Sequence, residues 1–269
     1  MTARTPAVRA APDWWQRMVD VGVGLLLLPV WLPALALAAA AALVLQGRPV
    51  LYRARRLGRG GGTFDMLKLR TMETDADRRG PGVSGAADPR ITPLGRVLRA
   101  TKLDELPQFL HVLAGRMSVV GPRPEAPVYR AHFTPAGERA LAYRPGLTGY
   151  GALWFYFHDG AEAAANAADF ERHYVTRLLP DRLALDAAGG AELAGAPLRT
   201  TVRLIGWTLL AVPHRLGGRG LPAGLRRRCA AALAEPWTIP EPGARRSASQ
   251  PSAAAPGPMP APGPVSPSH

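Results

Sequence analysis

LDELPQFL, residues 103–110, sets two adjacent carboxylates, Asp104 and Glu105, between leucines, with Pro107 close behind. Widened to TKLDELPQFLHVLAG (101–115), the stretch shows Leu103, Leu106, Leu110 and Leu113 at helical spacing, and Gly115 as a stop. Proline is tolerated in the first helical turn, where its missing N–H breaks no bond, so a helix is predicted to begin near Asp104. The plainer reading makes Asp104 an N-cap and Glu105 a first-turn acid, each favoured by the helix's positive end by roughly 0.3–1 kcal/mol. The sharper reading makes them a nucleophile and a metal ligand. The surrounding sequence has to decide.

Basic residues lie nearby in sequence. In GRMSVVGPRPE (115–125) a strand is predicted at 118–120, followed by Arg123 between Pro122 and Pro124. Two prolines restrict the backbone at that arginine, and a pre-set guanidinium suits bidentate phosphate binding. The alternative is a rigid surface turn with a solvated Arg. In YRPGLTGYG (143–151), Arg144 precedes a Pro-Gly turn, again with a plain turn as the alternative. Lys68 and Arg70 in MLKLRTM are two apart and so share one face of a predicted strand. GRGGG (58–62) lacks the spacing and the Lys-Ser/Thr of a P-loop and reads as a flexible turn. The six His show no metal-ligand spacing, and one Cys, Cys229, can build neither a zinc site nor an internal disulfide.

The chain has 269 residues and a net charge of +13, which points to polyanionic partners such as nucleic acid, anionic lipid or phosphorylated substrates. Only Lys68 and Lys102 are lysines; every other basic residue is Arg. Residues 21–45, VGVGLLLLPVWLPALALAAAAALVL, carry no charge and are long enough, at about 1.5 Å per helical residue, to cross a ~30 Å hydrocarbon layer. Both flanks are basic, with Arg4, Arg9 and Arg17 before and Arg48, Arg53, Arg55, Arg56 and Arg59 after. Basic flanks prefer the cytoplasmic side, and Pro29 and Pro33 can break the helix. A dip that enters and leaves by one face meets both facts; a kinked spanning helix is the alternative.

The chain therefore divides into an N-terminal flank and membrane helix (1–47), a main domain (48–216), a basic flank (217–234) and a tail (235–269). The main domain should open with strand, glycine turn and strand, continue through a polar loop at 75–90, and become mostly helical. LRTTVRLIGWTLLAV (198–212) reads either as a helix lying along the membrane surface or as an ordinary amphipathic core helix. The tail has ten prolines in 35 residues and no apolar periodicity, so it is expected to be disordered. Its charges cancel, leaving the +13 on residues 1–234.

Taken in order, the membrane segment, RPVLYRARRLG, FDMLKLRTM, DPRITPLGRVLR, LDELPQFLHVLAGRMSVVGPRPE and RPGLTGYG resemble the bacterial sugar transferases, the small monotopic phosphoglycosyl transferases that act on polyprenyl phosphate. The resemblance runs from about residue 14 to 212. It implies an α+β, mainly helical fold: a re-entrant membrane helix, then a compact cytoplasmic domain with short strands resting on the inner membrane. It implies transfer of a sugar-1-phosphate from a nucleotide sugar, usually UDP-linked, to undecaprenyl phosphate, with release of UMP, at the start of cell-surface polysaccharide or glycoconjugate synthesis. On the family pattern Asp104 is the nucleophile, Glu105 supports Mg²⁺, and Lys68, Arg70, Arg123 and Arg144 lie near the phosphates. An unperturbed Asp has a pKa of ~3.9 and would be ionised at neutral pH without a separate base. Departures from the pattern are Ala54, where Gln is usual, the 151–170 segment, which lacks a polar Gly-Arg pair, and Gly189-Gly190, which interrupts an expected helix. The oligomeric state is open, with a homodimer among the options. A membrane-tethered binder of nucleic acid or anionic lipid would also explain the charge, but not the carboxylate pair beside rigid basic turns. No nucleic-acid motif or stacking platform is present, so no nucleic-acid partner is expected.

Overall fold

The apolar segment breaks once, at Leu27, two residues before Pro29. Helices α1 (Trp14–Leu26) and α2 (Leu28–Gln46) meet at Leu27, and Pro29 falls in the first turn of α2, where it disrupts nothing. Pro33 is carried inside α2 without ending it. The Trp31 indole N–H donates to the Gly24 carbonyl across the break at 3.0 Å, and its ring stacks on Phe109. The protein is described here from a computed structural model covering residues 14–85, 87–158 and 167–234. The tail 235–269 lies outside the described residues.

Both ends of this helix pair are tied to one folded body. Gln16 donates to Ser118 Oγ (2.8 Å) and to the Val120 carbonyl (3.0 Å). Asp20 accepts from Ser118 Oγ (2.7 Å) and from the Val119 N–H (2.8 Å). Arg17 donates to the carbonyls of Val112 and Leu113, which a helix end leaves without intrahelical partners. At the far end Arg70 donates to the carbonyls of Gln46 and Gly47, at 2.5 and 2.9 Å. Between these ties α2 buries only Trp31, Ala38 and Ala42, and leaves Leu37, Val44 and Leu45 exposed. It is one helix long and apolar enough to cross a membrane by length and composition.

The predicted hairpin forms. Strands β1 (Leu51–Leu57) and β2 (Thr63–Leu69) pair antiparallel from Leu51↔Leu69 to Leu57↔Thr63. Gly60 and Gly61 turn between them at φ 74° and 81°, a region that favours glycine. Ala54 is buried opposite Met66. Among its described residues the 75–90 stretch holds a 3₁₀ turn at Ala76–Arg78, with Arg90 fanned across Asp88 and the carbonyls of Ala76 and Pro81.

Helix α3 (Pro93–Thr101) starts with Thr92 accepting from the Gly95 N–H. The helix predicted to run from Asp104 is split. Lys102 turns left-handed at φ 62°, Leu103–Glu105 form a 3₁₀ turn, and α4 spans only Gln108–Leu113. Asp104 caps neither, so the N-cap reading fails. Gly115, at φ 77°, follows the end of α4 as its sequence position predicts.

Strands β3 (Ser118–Val120) and β4 (Gly146–Thr148) pair parallel, separated by α5 (Pro135–Ala140). Helices α6 (Tyr150–His158), α7 (Ala167–His173) and α8 (Leu179–Gly195) follow, with a π-helical turn at Tyr174–Leu178 before α8. Helices α9 (Pro197–Leu216) and α10 (Ala223–Ala234) complete an α+β, mainly helical fold. Helix α9 is amphipathic: Thr200, Leu204 and Ala211 face inward, while Leu198, Val202 and Leu209 are exposed. Gly189-Gly190 does not interrupt α8. A Cβ at Gly190 would lie 2.5 Å from the Tyr143 ring, and one at Gly189 2.8 Å from the Tyr150 ring, so the glycines admit two aromatic side chains.

The β3–β4 contact is as close. A Cβ on Gly146 would fall 2.1 Å from the Gly121 nitrogen. Gly146→Ala is expected to cost about 1–3 kcal/mol, because backbone has to move. Gly206→Ala, in the interior of α9 with nothing within 4 Å of its Cβ, should instead gain up to about 1 kcal/mol. Thermal unfolding of the two variants in detergent should therefore move in opposite directions.

Candidate active site

Glu105 is the hub of the site. Its Oε1 accepts from Lys68 Nζ at 3.0 Å and from Arg123 Nη2 at 2.7 Å, and lies 4.0 Å from Lys102 Nζ. Its Oε2 has a longer contact with Arg123 Nη1, at 3.4 Å. Three elements deliver these groups. Lys68 comes from β2, Arg123 from the turn after β3, and Glu105 with Lys102 from the break between α3 and α4. His111 fixes α4 to the hairpin by accepting the Leu67 N–H at 3.0 Å, and burial keeps its pKa below the usual histidine value.

The Pro-Arg-Pro turn is held from two sides. Leu57 N–H donates to the Glu125 carbonyl at 2.7 Å, and the Glu125 carboxylate accepts from Tyr174 and Arg182 deep in the core. Asp186, one turn on from Arg182, is driven up to about 7 by burial, against the pull of Arg182 at 4.0 Å.

The two adjacent carboxyls have opposite electrostatics. Burial acts against ionisation of Glu105, but Arg123, Lys68 and Lys102 outweigh it and hold the group well below the usual carboxylate range. Asp104 is 5% exposed, and its Oδ1 is buried without a hydrogen-bond partner. Burial raises its pKa, the charge of Glu105 adds to the rise, and Lys68, Lys102 and Arg99 oppose it. The expectation of an unperturbed aspartate is thus corrected. Burial also brings the Lys68 ammonium down to about 8, against the pull of Glu105.

Of the predicted site residues, Lys68, Asp104, Glu105 and Arg123 come together. Arg70 does not join them: it is buried and engaged with Gln46 and Gly47, so it works as a clamp on α2. Arg144 is half-buried, and its charge acts on Asp20. Two cations escaped the sequence reading, Lys102 and Arg99. Arg99 sits in the last turn of α3, bonded to Thr71 and Ser84, with its charge felt at Asp104. The rarity of lysine in this chain was a signal for Lys102; its left-handed turn was not legible.

Beside the hub lies a cavity of about 260 Å³. Glu105, Arg123 and Lys102 form its charged end, and Val23, Leu27, Phe109, Leu153 and Ile205 contribute apolar wall. Asp104 does not line it. For Mg²⁺, the donor set is small but fitting. Among the described residues there is no cluster of three metal-ligating side chains. Asp104 Oδ1 and the loosely held Glu105 Oε2 nevertheless match an ion that takes one or two carboxylates and fills the rest with phosphate and water.

Opposite stability effects follow. Glu105 has a depressed folded pKa, so it stabilises the fold above its unfolded value of about 4.3, and that contribution fades as pH falls below it. Glu105→Gln should cost on the order of 3 kcal/mol at pH 7 by stranding its cations, with the deficit shrinking toward pH 3. Asp104 has a raised folded pKa, so its charge destabilises the fold at pH 7 and not below about pH 4. Asp104→Asn should raise Tm at pH 7 and leave it unchanged in acid. Melting curves of both variants across pH 3–8 check the signs.

Residues 11–186 match the family model for bacterial sugar transferases. The chain is 46% identical over 149 residues to a UDP-glucose:undecaprenyl-phosphate glucose-1-phosphate transferase of Caulobacter vibrioides, an alignment covering 54% of this chain and 55% of that protein. It is 35% identical over 186 residues to the exopolysaccharide production protein ExoY of Sinorhizobium fredii, covering 64% and 81%. It is 32% identical over 165 residues to the Escherichia coli UDP-glucose:undecaprenyl-phosphate glucose-1-phosphate transferase, covering 60% and 36%. The chain thus spans about half the length of the Caulobacter relative and most of ExoY. The family match takes in the broken apolar helices, the carboxylate pair and the Pro-Arg-Pro turn, and the chain belongs to the bacterial sugar transferase family.

Proposed function

We propose that the protein transfers a sugar-1-phosphate from a UDP-sugar to undecaprenyl phosphate through a phosphosugar carried on Asp104, as the opening step of cell-surface polysaccharide synthesis. The observation that carries this reading is the pairing of a buried carboxylate lacking a hydrogen-bond partner with a neighbour held by three cations. Relatives named for transfer to undecaprenyl phosphate support the choice of acceptor, and UDP-glucose in two of those names supports the donor.

In the first step an Asp104 oxygen attacks the sugar-bearing phosphorus. The bond from that phosphorus to the bridging oxygen breaks, and UMP leaves with the electron pair. In the second step an oxygen of the lipid phosphate attacks the same phosphorus, the acyl phosphate P–O bond breaks, and the Asp104 carboxylate returns. Burial keeps Asp104 poorly solvated, which favours attack, while Lys68 counters the cost of its charge. Arg123 and Lys68, aligned on Glu105, are positioned to offset charge on phosphate oxygens. Mg²⁺, held through Glu105 and the donor phosphates, would supply further charge neutralisation when bound. The apolar cavity suits the first isoprene units of the acceptor.

The same reading makes α1 and α2 a dip into the cytoplasmic leaflet. Ties at Gln16–Asp20 and at Gln46–Gly47 to one domain support entry and exit on the same side. The exposed leucines of α2, and those of α9, would then face lipid.

Incubation with donor alone should add a phosphosugar mass to the wild type and none to Asp104→Asn, which should also release no UMP. Normal turnover by that variant would reject the nucleophile. Adduct formation should fall off above about pH 8 as Lys68 loses its proton, and Lys68→Arg should carry activity to higher pH. For topology, single cysteines at position 8 and at Gly60, with Cys229 replaced, should both resist an impermeant reagent in whole cells. Labelling of position 8 from outside would establish a spanning helix instead.

A further inference from the structure

We infer that the apolar cavity opens sideways into the bilayer between Leu27, at the α1–α2 break, and Leu209, on α9, and that the polyprenyl chain of the acceptor leaves the site through this portal. This rests on the proposed transfer and gives one of its two substrates a route.

The cavity, at about 260 Å³, takes in only the start of a chain of eleven isoprene units. With the acceptor's phosphate at the charged end, beside Lys102, Glu105 and Arg123, the rest of the chain has to pass out through the wall. Of the described residues that line the cavity, Leu27 and Leu209 alone are exposed, at 37% and 71%; the others are buried or half-buried. The wall is therefore open where these two lie.

The surface outside the opening is apolar as well. Leu27 has exposed Leu25, Leu26 and Val30 around it in the chain. Leu209 falls on one stripe of α9 with Leu198, Val202 and Leu216, all exposed. A chain that leaves here passes from apolar wall to apolar surface without crossing water. Leaving by the charged end would put its hydrocarbon into water, which the hydrophobic effect opposes.

Both sides of the opening are fastened from the cavity wall. Phe109 lines the cavity and stacks on Trp31, whose indole closes the break on the Gly24 carbonyl. Thr208, the neighbour of Leu209, also lines the cavity and is hydrogen-bonded to Thr148 at 2.7 Å. The two substrates then come from different phases. A nucleotide sugar, with its polar ribose and base, suits approach from water to the charged end, and UMP can leave the same way while the lipid is seated. Leu209 lies beyond residues 11–186 matched by the family model, so that side of the portal is assigned from this chain's own geometry. The tail of a bulk phospholipid would find the same opening apolar, and the test has to separate the two.

The test uses the full chain in nanodiscs. Undecaprenyl phosphate carrying a diazirine on its chain should, on illumination, label the peptides around Leu27 and Leu209, and unlabelled undecaprenyl phosphate should compete the label away. Labelling elsewhere, with these two peptides unmarked, would overturn the portal. So would labelling there by a diazirine phosphatidylglycerol that undecaprenyl phosphate does not displace, since the opening would then hold bulk phospholipid. In steady-state assays Leu209→Trp should raise KM for undecaprenyl phosphate about tenfold, the scale of an overpacked apolar contact, and change kcat little. Geranyl phosphate, whose short chain would end inside the cavity, should lose far less. Leu198→Trp, on the same exposed stripe but away from the cavity, should behave as wild type. An unchanged KM in Leu209→Trp, or equal losses for the two acceptors or from the two substitutions, would reject the portal. Competed labelling at the portal in a protein that forms no Asp104 adduct would instead count against the proposed transfer alone.

Discussion

The sharing of Glu105 among Arg123, Lys68 and Lys102 organises the molecule. One carboxylate joins the β-hairpin, the Pro-Arg-Pro turn and the break between α3 and α4. Removing any partner would leave buried charge uncompensated, which is why such clusters are costly to break even when they add little net stability. The arrangement also separates the roles of two adjacent carboxyls. Glu105 takes the cations, and Asp104, one residue away on a tight turn, is left under-solvated. A regular helix through residues 103–113 would have presented both carboxyls on its first turn, where backbone N–H groups and solvent would have competed for them.

The same region is where local sequence rules fail. Apolar spacing, Pro107 and Gly115 all agree on a helix from Asp104, and Gly115 does follow its end. The start is misread because Lys102 is left-handed, and lysine gives no local hint of that conformation. The tertiary cation cluster overrides propensity there. By contrast the β1–β2 hairpin and the break beside Pro29 were legible, because each depends on residues adjacent in sequence.

Long-range partners mark the other limit. Lys68 and Arg70 look equivalent at strand spacing, yet one reaches Glu105 and the other closes on Gln46 and Gly47. Nothing near position 70 in sequence signals a partner 24 residues earlier. Gly189-Gly190 was read as a break because glycine lowers helix propensity; the rings of Tyr143 and Tyr150, which need the space, lie some 40 residues away in sequence. Arg123 was legible for the converse reason: two flanking prolines fix its backbone without help from afar.

The docking of α1 has a consequence for how the protein is made. Gln16 and Asp20 leave the ribosome early, but their partners Ser118 and Val120 follow 98 to 104 residues later. Synthesis at about 5–20 residues per second leaves a delay of many seconds. Throughout it, Gln16, Arg17 and Asp20 lack the partners that hold them in the finished fold. If the helices meet lipid in that interval, Asp20 has to remain near the headgroups, where water can solvate it until Ser118 and the Val119 amide arrive. A buried carboxylate in α1 would in this way limit how deep the nascent segment sinks, and would keep the helix pair within reach of the body that later ties both its ends.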